Sequence, residues 1–525
     1  MYRKGKSNKF KLFLALFLLM VLTLPIAVSC EEEESSEGTP TATETDLLVD
    51  PIKVDAGYVA GTTVGEPGKE VRVYRGIPYA APPVGDLRWK PPQPVGPWSG
   101  IREATVFSDI CPQQQAGWVA VSGSMSEDCL YLNVFTPAKK SSERLPVMVW
   151  FHGGGFAVGS ANQVPYISPS LAQHGVVMVG INHRLGPIGL LAHPALAAES
   201  ADGVSGNYLF LDLIAGLEWV QTNIEAFGGD PNNVTIFGES GGGGKADALM
   251  ASPLAAGLFQ RAILESGANS ERVGIRQVLS LEDAEALGEQ LVAKLGISED
   301  GDVLAALRAT PYERILEASA EMSKELTAAM PAAEGMGVLD NLAVDGWFMP
   351  DTPTNVFKAG KQNDVSLITC ANLGELTAEK TVIRLPYLIG AYVTRLTAVG
   401  ESGNKAYAAL FSQVPSTWKE EGVLAFHGLE LLYVFGLVGI AGHPIFYETF
   451  AQPSGAQTQD PGLTEDDEQV SEAMMSMWAQ FAKTGDPSVE GLIDWPVWDP
   501  AGDQYLDIAW PLEVKSGYSE IVPQQ

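Results

Sequence analysis

One stretch constrains the fold of this chain more than any other: Phe227-Gly228-Gly229-Asp230-Pro231-Asn232-Asn233-Val234-Thr235-Ile236-Phe237-Gly238-Glu239-Ser240-Gly241-Gly242. Asn233 to Phe237 alternates small or polar residues with β-branched and aromatic ones, the pattern of a strand. Gly238-Glu239-Ser240-Gly241-Gly242 fits G-x-S-x-G, and an Ala/Leu/Met-rich helical run begins behind it. A serine on a sharp strand-to-helix turn needs glycine on either side, because a Cβ there would hold the two elements apart. Its hydroxyl then stands at a helix N-terminus, where free N–H groups and the dipole favour developing negative charge. In a chain with 55 glycines the pentapeptide can arise by chance, so its meaning depends on partners elsewhere.

A serine hydroxyl is too weakly acidic to attack a carbonyl unaided, and a base must accept its proton. The chain offers six histidines: His152, His174, His183, His193, His427 and His443. In the α/β-hydrolase order the acid and then the histidine follow the nucleophile, which leaves His427 and His443. His427 lies in Ala425-Phe426-His427-Gly428-Leu429-Glu430, a loop-like break before an apolar helix, and is the favoured base; His443 precedes Pro444 in another loop. The acid should follow a strand beyond the elbow. Glu375 comes five residues after the apolar run Val365 to Cys370, where a turn aims it back across the carboxyl end of a sheet. Its rivals Glu379 and Asp364 read as solvated surface charges. Upstream, His152-Gly153-Gly154-Gly155-Phe156 follows the strand-like Pro146 to Phe151. Backbone N–H groups of Gly154, Gly155 and Gly241 can then converge on one oxyanion.

Other chemistries are excluded. Gly241 to Gly244 followed by Lys245 suggests a phosphate-binding loop, but Glu239 stands where its first glycine is required and Ala246 where its hydroxyl is required. No Cys/His cluster has zinc spacing, so neither metal nor cofactor is expected. The formal net charge of −31 argues against nucleic acid as a partner. The N-terminus carries Arg3, Lys4, Lys6, Lys9 and Lys11 before an uncharged run from Leu12 to Ser29, the form of a signal peptide over residues 1–29. Ala27-Val28-Ser29 before Cys30 resembles a bacterial lipobox, which implies cleavage at Cys30, its lipidation and a membrane tether. The acidic, Ser/Thr-rich residues that follow, to about 50, have little to bury and are expected to be disordered. Without the five basic residues of the leader, 28 lysines and arginines face 64 acidic residues, a net charge of −36. In an exported, oxidising setting Cys111 and Cys129, 18 residues apart, read as a disulfide, and Cys370 as an inert core thiol.

From about Asp50 onward β-like and helical runs alternate. Strands are expected at Val71 to Tyr74, Leu130 to Phe135, Pro146 to Phe151, Val176 to Asn182, Arg261 to Ser266, Val365 to Cys370 and Tyr505 to Trp510. Helices are expected at Leu209 to Phe227, Leu281 to Leu326 and Ala473 to Lys483, with Pro78 to Pro97 as an extended surface loop. Near-continuously apolar strands alternating with helices indicate an α/β fold: a mostly parallel twisted sheet with helices on both faces.

At this point the chain resembles a known family, the type B carboxylesterases and lipases, which include the cholinesterases. Phe227 to Gly242 matches the family's serine signature, and Glu127-Asp128-Cys129-Leu130-Tyr131-Leu132-Asn133-Val134 matches its second signature. Tyr74 to Ala80, Asn182 to Gly186, Asp345-Gly346 and Phe481 to Pro487 match further, so the likeness runs from about Ile52 to Pro511. The resemblance implies an α/β-hydrolase domain over 51–525 with helical insertions around a gorge, acting on small-molecule esters. It implies Ser240 as nucleophile, Glu375 as acid, His427 as base, and Gly154, Gly155 and Gly241 as oxyanion donors. It also implies that a Cys111–Cys129 disulfide closes a loop at the gorge mouth. Glu239 and Ser266 fall where the family keeps polar groups near the triad, and both could equally be structural. The chain departs from the pattern at Lys245 and the added glycines, and Trp118 lies in a shorter disulfide loop than in cholinesterases. The chemistry expected is ester hydrolysis through an acyl-enzyme. An amidase or thioesterase using the same residues, or a non-catalytic binding protein of cholinesterase-like fold, are the other readings.

Overall fold

Residues 145–151 show why the sheet is buried on both sides. Val147, Val149 and Phe151 pack into one apolar cluster, while the alternate Met148 and Trp150 pack into another. A strand turns successive side chains to opposite faces, so an unbroken apolar run demands cover above and below. The computed structural model describes residues 47–114, 123–269, 278–328, 337–375 and 378–521. The leader, Cys30, the tether up to Asp46 and Trp118 therefore lie outside the described residues. The end of the expected tether is ordered instead: Leu48 is buried with its N–H donating to the Lys139 carbonyl at 2.9 Å, and Asp50 accepts from the Tyr74 hydroxyl at 2.8 Å.

The sheet contains β1 (Thr62–Val64), β2 (Val71–Pro78), β3 (Tyr131–Thr136), β4 (Leu145–Phe151), β5 (Val177–Ile181), β6 (Gly229–Glu239), β7 (Arg261–Glu265), β8 (Ser366–Asn372), β9 (Ala406–Phe411), β10 (Gln504–Ile508) and β11 (Glu513–Ser516). Its spatial order is β11-β10-β9-β8-β7-β6-β4-β5-β3-β2-β1. The strands from β10 to β5 in that order run parallel, and the two edges are antiparallel. After β4 the chain steps outward to β5 and then returns to place β6 on the other side of β4. Ligands of open α/β sheets bind outside the carboxyl ends of the strands at such a reversal.

One face is covered by α1 (Tyr208–Asn223), α2 (Gly241–Ala251) and α3 (Ala378–Glu401), whose apolar side chains share a cluster with β4 and β6. The other is covered by α4 (Glu430–Val434) and α5 (Glu465–Thr484), with Met474, Trp478 and Phe481 against Trp150, Phe237 and Ile263. Among the described residues no helix is long and apolar enough to cross a membrane.

Two expectations change. Residues 281–326 form three helices, Leu281–Lys294, Val303–Ala309 and Tyr312–Ala328, rather than one. Gly296, at φ +73°, takes the left-handed turn that ends the first, and Pro311 precedes the third. The proline-rich loop after β2 is not wholly at the surface, since Trp89 is buried and its Nε1 donates to the Pro187 carbonyl at 2.8 Å.

Candidate active site

The reversal sets two loops side by side, because β4 and β6 are hydrogen-bonded neighbours. β6 ends at Glu239 and α2 begins at Gly241, leaving Ser240 alone on the turn at φ +55° and ψ −116°. An L-residue is strained in this left-handed region, and only close packing around it can hold it there. The packing is visible at Gly242, where a Cβ would lie 1.9 Å from the Phe151 carbonyl oxygen at the end of β4. Ser240 N–H donates to the Glu265 carbonyl at 2.8 Å, which ties the turn to β7.

The β4 loop carries Gly154 at φ +88° and Gly155 at φ +67°, backbone angles that glycine adopts freely. A Cβ on Gly241 would sit 2.7 Å from the Gly155 nitrogen, so the start of α2 and the glycine loop are in van der Waals contact. The start of α2 at Gly241 therefore adjoins the loop that carries Gly154 and Gly155.

Glu375 follows β8 in a tight turn at φ +23°, fully buried. It pairs as an isolated parallel bridge with Phe426, which brings the next residue, His427, to it. His427 Nδ1 lies 2.8 Å from Glu375 Oε2, so this nitrogen carries the proton and donates it. Asn372 N–H donates to Glu375 Oε1 at 3.1 Å, and Arg384 Nε approaches Oε2 at 3.2 Å. Burial alone would raise the Glu375 carboxyl; the His427 hydrogen bond, the His427 and Arg384 charges and the Asn372 N–H outweigh it and hold it below its ordinary value. His427 Nε2 stands 3.1 Å from Glu239 Oε1, a contact that becomes an ion pair when the imidazole is protonated. Ser240 itself is half-buried on the turn.

Behind this row lie carboxylates that a pass along the sequence does not single out. Glu265, at the end of β7, accepts from Trp478 Nε1 at 2.6 Å, and burial pushes its carboxyl up to about 8. Glu430 is buried beside Asn372, and burial followed by the charges of Glu239 and Glu265 raises it well above the usual range. The available signal was a charged residue closing an apolar strand, and another one helical turn beyond His427. Ser266 is buried at φ +47°, with its carbonyl accepting from Arg384 at 3.1 Å. Its hydroxyl has no partner among the described residues. Cys111 and Cys129 form a disulfide with Cα atoms 5.0 Å apart, while Cys370 is a buried free thiol.

A parallel sheet with a serine turn, a glycine loop and a carboxylate–histidine pair at its carboxyl edge defines an α/β hydrolase. The chain belongs to the carboxylesterase family, whose model matches residues 49–385 and 380–522, and it is an ester-hydrolysing enzyme. It is 35% identical over 480 residues to the para-nitrobenzyl esterase of Bacillus subtilis (strain 168), covering 84% of this chain and 91% of that one. It is 33% identical over 508 residues to the fumonisin B1 esterase of Sphingopyxis macrogoltabida, covering 88% and 87%. A solved structure of a PNB esterase superposes with a TM-score of 0.72 at 31% identity, over 88% of this chain and 96% of that one.

Proposed function

We propose that the chain hydrolyses carboxylic esters through an acyl-enzyme on Ser240. The observation that carries this is the Glu375–His427 hydrogen bond at 2.8 Å, on the same sheet edge as the strained Ser240 turn. With Nδ1 donating to Glu375, the neutral imidazole keeps its lone pair on Nε2, the nitrogen that accepts the serine proton. Ser240 Oγ attacks the ester carbonyl, the carbonyl pair moves onto oxygen, and N–H groups of Gly154, Gly155 and Gly241 hold that oxyanion. His427 then protonates the leaving alcohol, and a water activated by the same nitrogen releases the acid. Glu375 and the nearby Glu239 stabilise the imidazolium between these steps. Ser240→Ala is expected to lower kcat on a short p-nitrophenyl ester by about 10⁴-fold or more in folded protein. Hydrolysis retained at the wild-type rate would remove Ser240 from this role.

The same proposal includes export and a lipid anchor at Cys30, supported by the basic-apolar leader and the small residues before the cysteine. In a bacterial host that lipidates lipoproteins, the wild type should fractionate with membranes. Cys30→Ser should lose both the lipid mass and that association. An unchanged mass and distribution would contradict the anchor.

A further inference from the structure

Lys245, excluded above as a phosphate-loop lysine, is the fifth residue of α2 and is fully buried. Its Nζ donates to the His152 carbonyl at 2.7 Å and lies 5.9 Å from the centre of the Phe156 ring. Side chains on a helix lean toward its N-terminus, and positions four apart share a face. The lysine therefore leans toward the first turn of α2 and meets the His152 end of the glycine loop, while a Cβ on Gly241 in that first turn would lie 2.7 Å from the Gly155 nitrogen. For helix stability this is a poor place for a cation, which meets the positive end of the dipole and loses its hydration. A negative charge developing at that end reverses the sign of the interaction.

Behind the loop, the His152 and His183 rings stack at 4.5 Å, each with Nδ1 on a backbone carbonyl. Burial, and next the Lys245 charge, push both imidazoles well below their ordinary range.

We propose that Lys245 is a positioning residue for the oxyanion pocket, holding the His152 carbonyl so that the Gly154 and Gly155 N–H groups face the reacting oxygen. Its charge adds to the field that stabilises the tetrahedral intermediate. The inference rests on reading Gly154, Gly155 and Gly241 as that pocket. The test compares an alkyl trifluoromethyl ketone with its methyl ketone counterpart. In the first, Ser240 Oγ bonds the carbonyl carbon, the π pair becomes an oxyanion, and the serine proton passes to His427. The second binds without forming that bond.

Lys245→Met is expected to weaken the trifluoromethyl ketone about tenfold or more and to lower kcat by a similar factor. KM and methyl ketone affinity should stay within about threefold. Equal loss for both ketones assigns the lysine to general packing, and no loss assigns it nothing; either overturns the proposal. If the methionine variant does not fold, Lys245→Gln replaces it with the same reading, and failure of both to fold makes Lys245 structural, which also overturns it. A wild-type enzyme that binds the two ketones equally contradicts the pocket itself rather than the role of Lys245.

Discussion

At the scale of single residues, one carboxylate organises the site. Glu375 is fully buried, yet Asn372, Arg384 and His427 all approach its two oxygens within 3.2 Å. Replacing it by glutamine keeps the volume but removes the charge that fixes the imidazole tautomer and stabilises the imidazolium. Glu375→Gln is expected to lower kcat by about 10³- to 10⁴-fold with little change in KM, measured on a chromogenic ester. A variant within threefold of wild type would show that His427 does not depend on this acid. Arg384 adds a feature that position along the chain does not reveal: it stands nine residues beyond Glu375 and inside α3, yet folds back onto the same oxygen.

At the scale of elements, the elbow is a packing problem solved with glycine. Gly242→Ala would drive a methyl carbon to 1.9 Å from the Phe151 carbonyl, a backbone atom that cannot move without breaking β4 away from β6. It is expected to destabilise the fold by about 3 kcal/mol or more and to abolish activity. Gly390→Ala, on the exposed side of α3 with open space at its Cβ, should instead be neutral or stabilising by up to about 1 kcal/mol. Denaturant unfolding of the two variants distinguishes them, and an equally tolerated Gly242→Ala would contradict this account of the turn. The elbow was legible because its constraint is local, written in adjacent residues. So were the parallel strands with unbroken apolar runs, and the order of serine, acid and histidine. β9 was not, because Ala406-Tyr407-Ala408-Ala409-Leu410-Phe411 has helical propensity and becomes a strand only between β8 and β10. α3 was obscured by Pro386 within it and by Gly390 and Gly400. Glu265 and Glu430 were missed for the same reason as Arg384: their roles come from partners far away in the chain.

At the scale of the whole molecule, carboxylates buried near the active site couple its architecture to pH. Glu265 titrates at about 8 in the folded protein, well above an ordinary carboxyl. Below a pH of about 4.5 both folded and unfolded chains hold this proton, so its contribution is fully present there. Between there and about 8 the unfolded chain releases the proton while the folded chain keeps it, and stability falls as pH rises. Glu265→Gln, which keeps an acceptor for Trp478, should therefore gain in melting temperature relative to wild type between pH 5 and 8. A constant difference across that range would contradict the raised carboxyl. The sheet that buries these groups also presents Ser240, Gly154 and His427 at its carboxyl edge, and ester hydrolysis depends on that convergence. It is tested most directly by titrating the purified enzyme with an organophosphate and locating the adduct by peptide mass spectrometry. One phosphoryl group per chain is expected, on the peptide containing Ser240, with activity lost in proportion. Inhibition with the adduct elsewhere, or full activity with Ser240 modified, would contradict it.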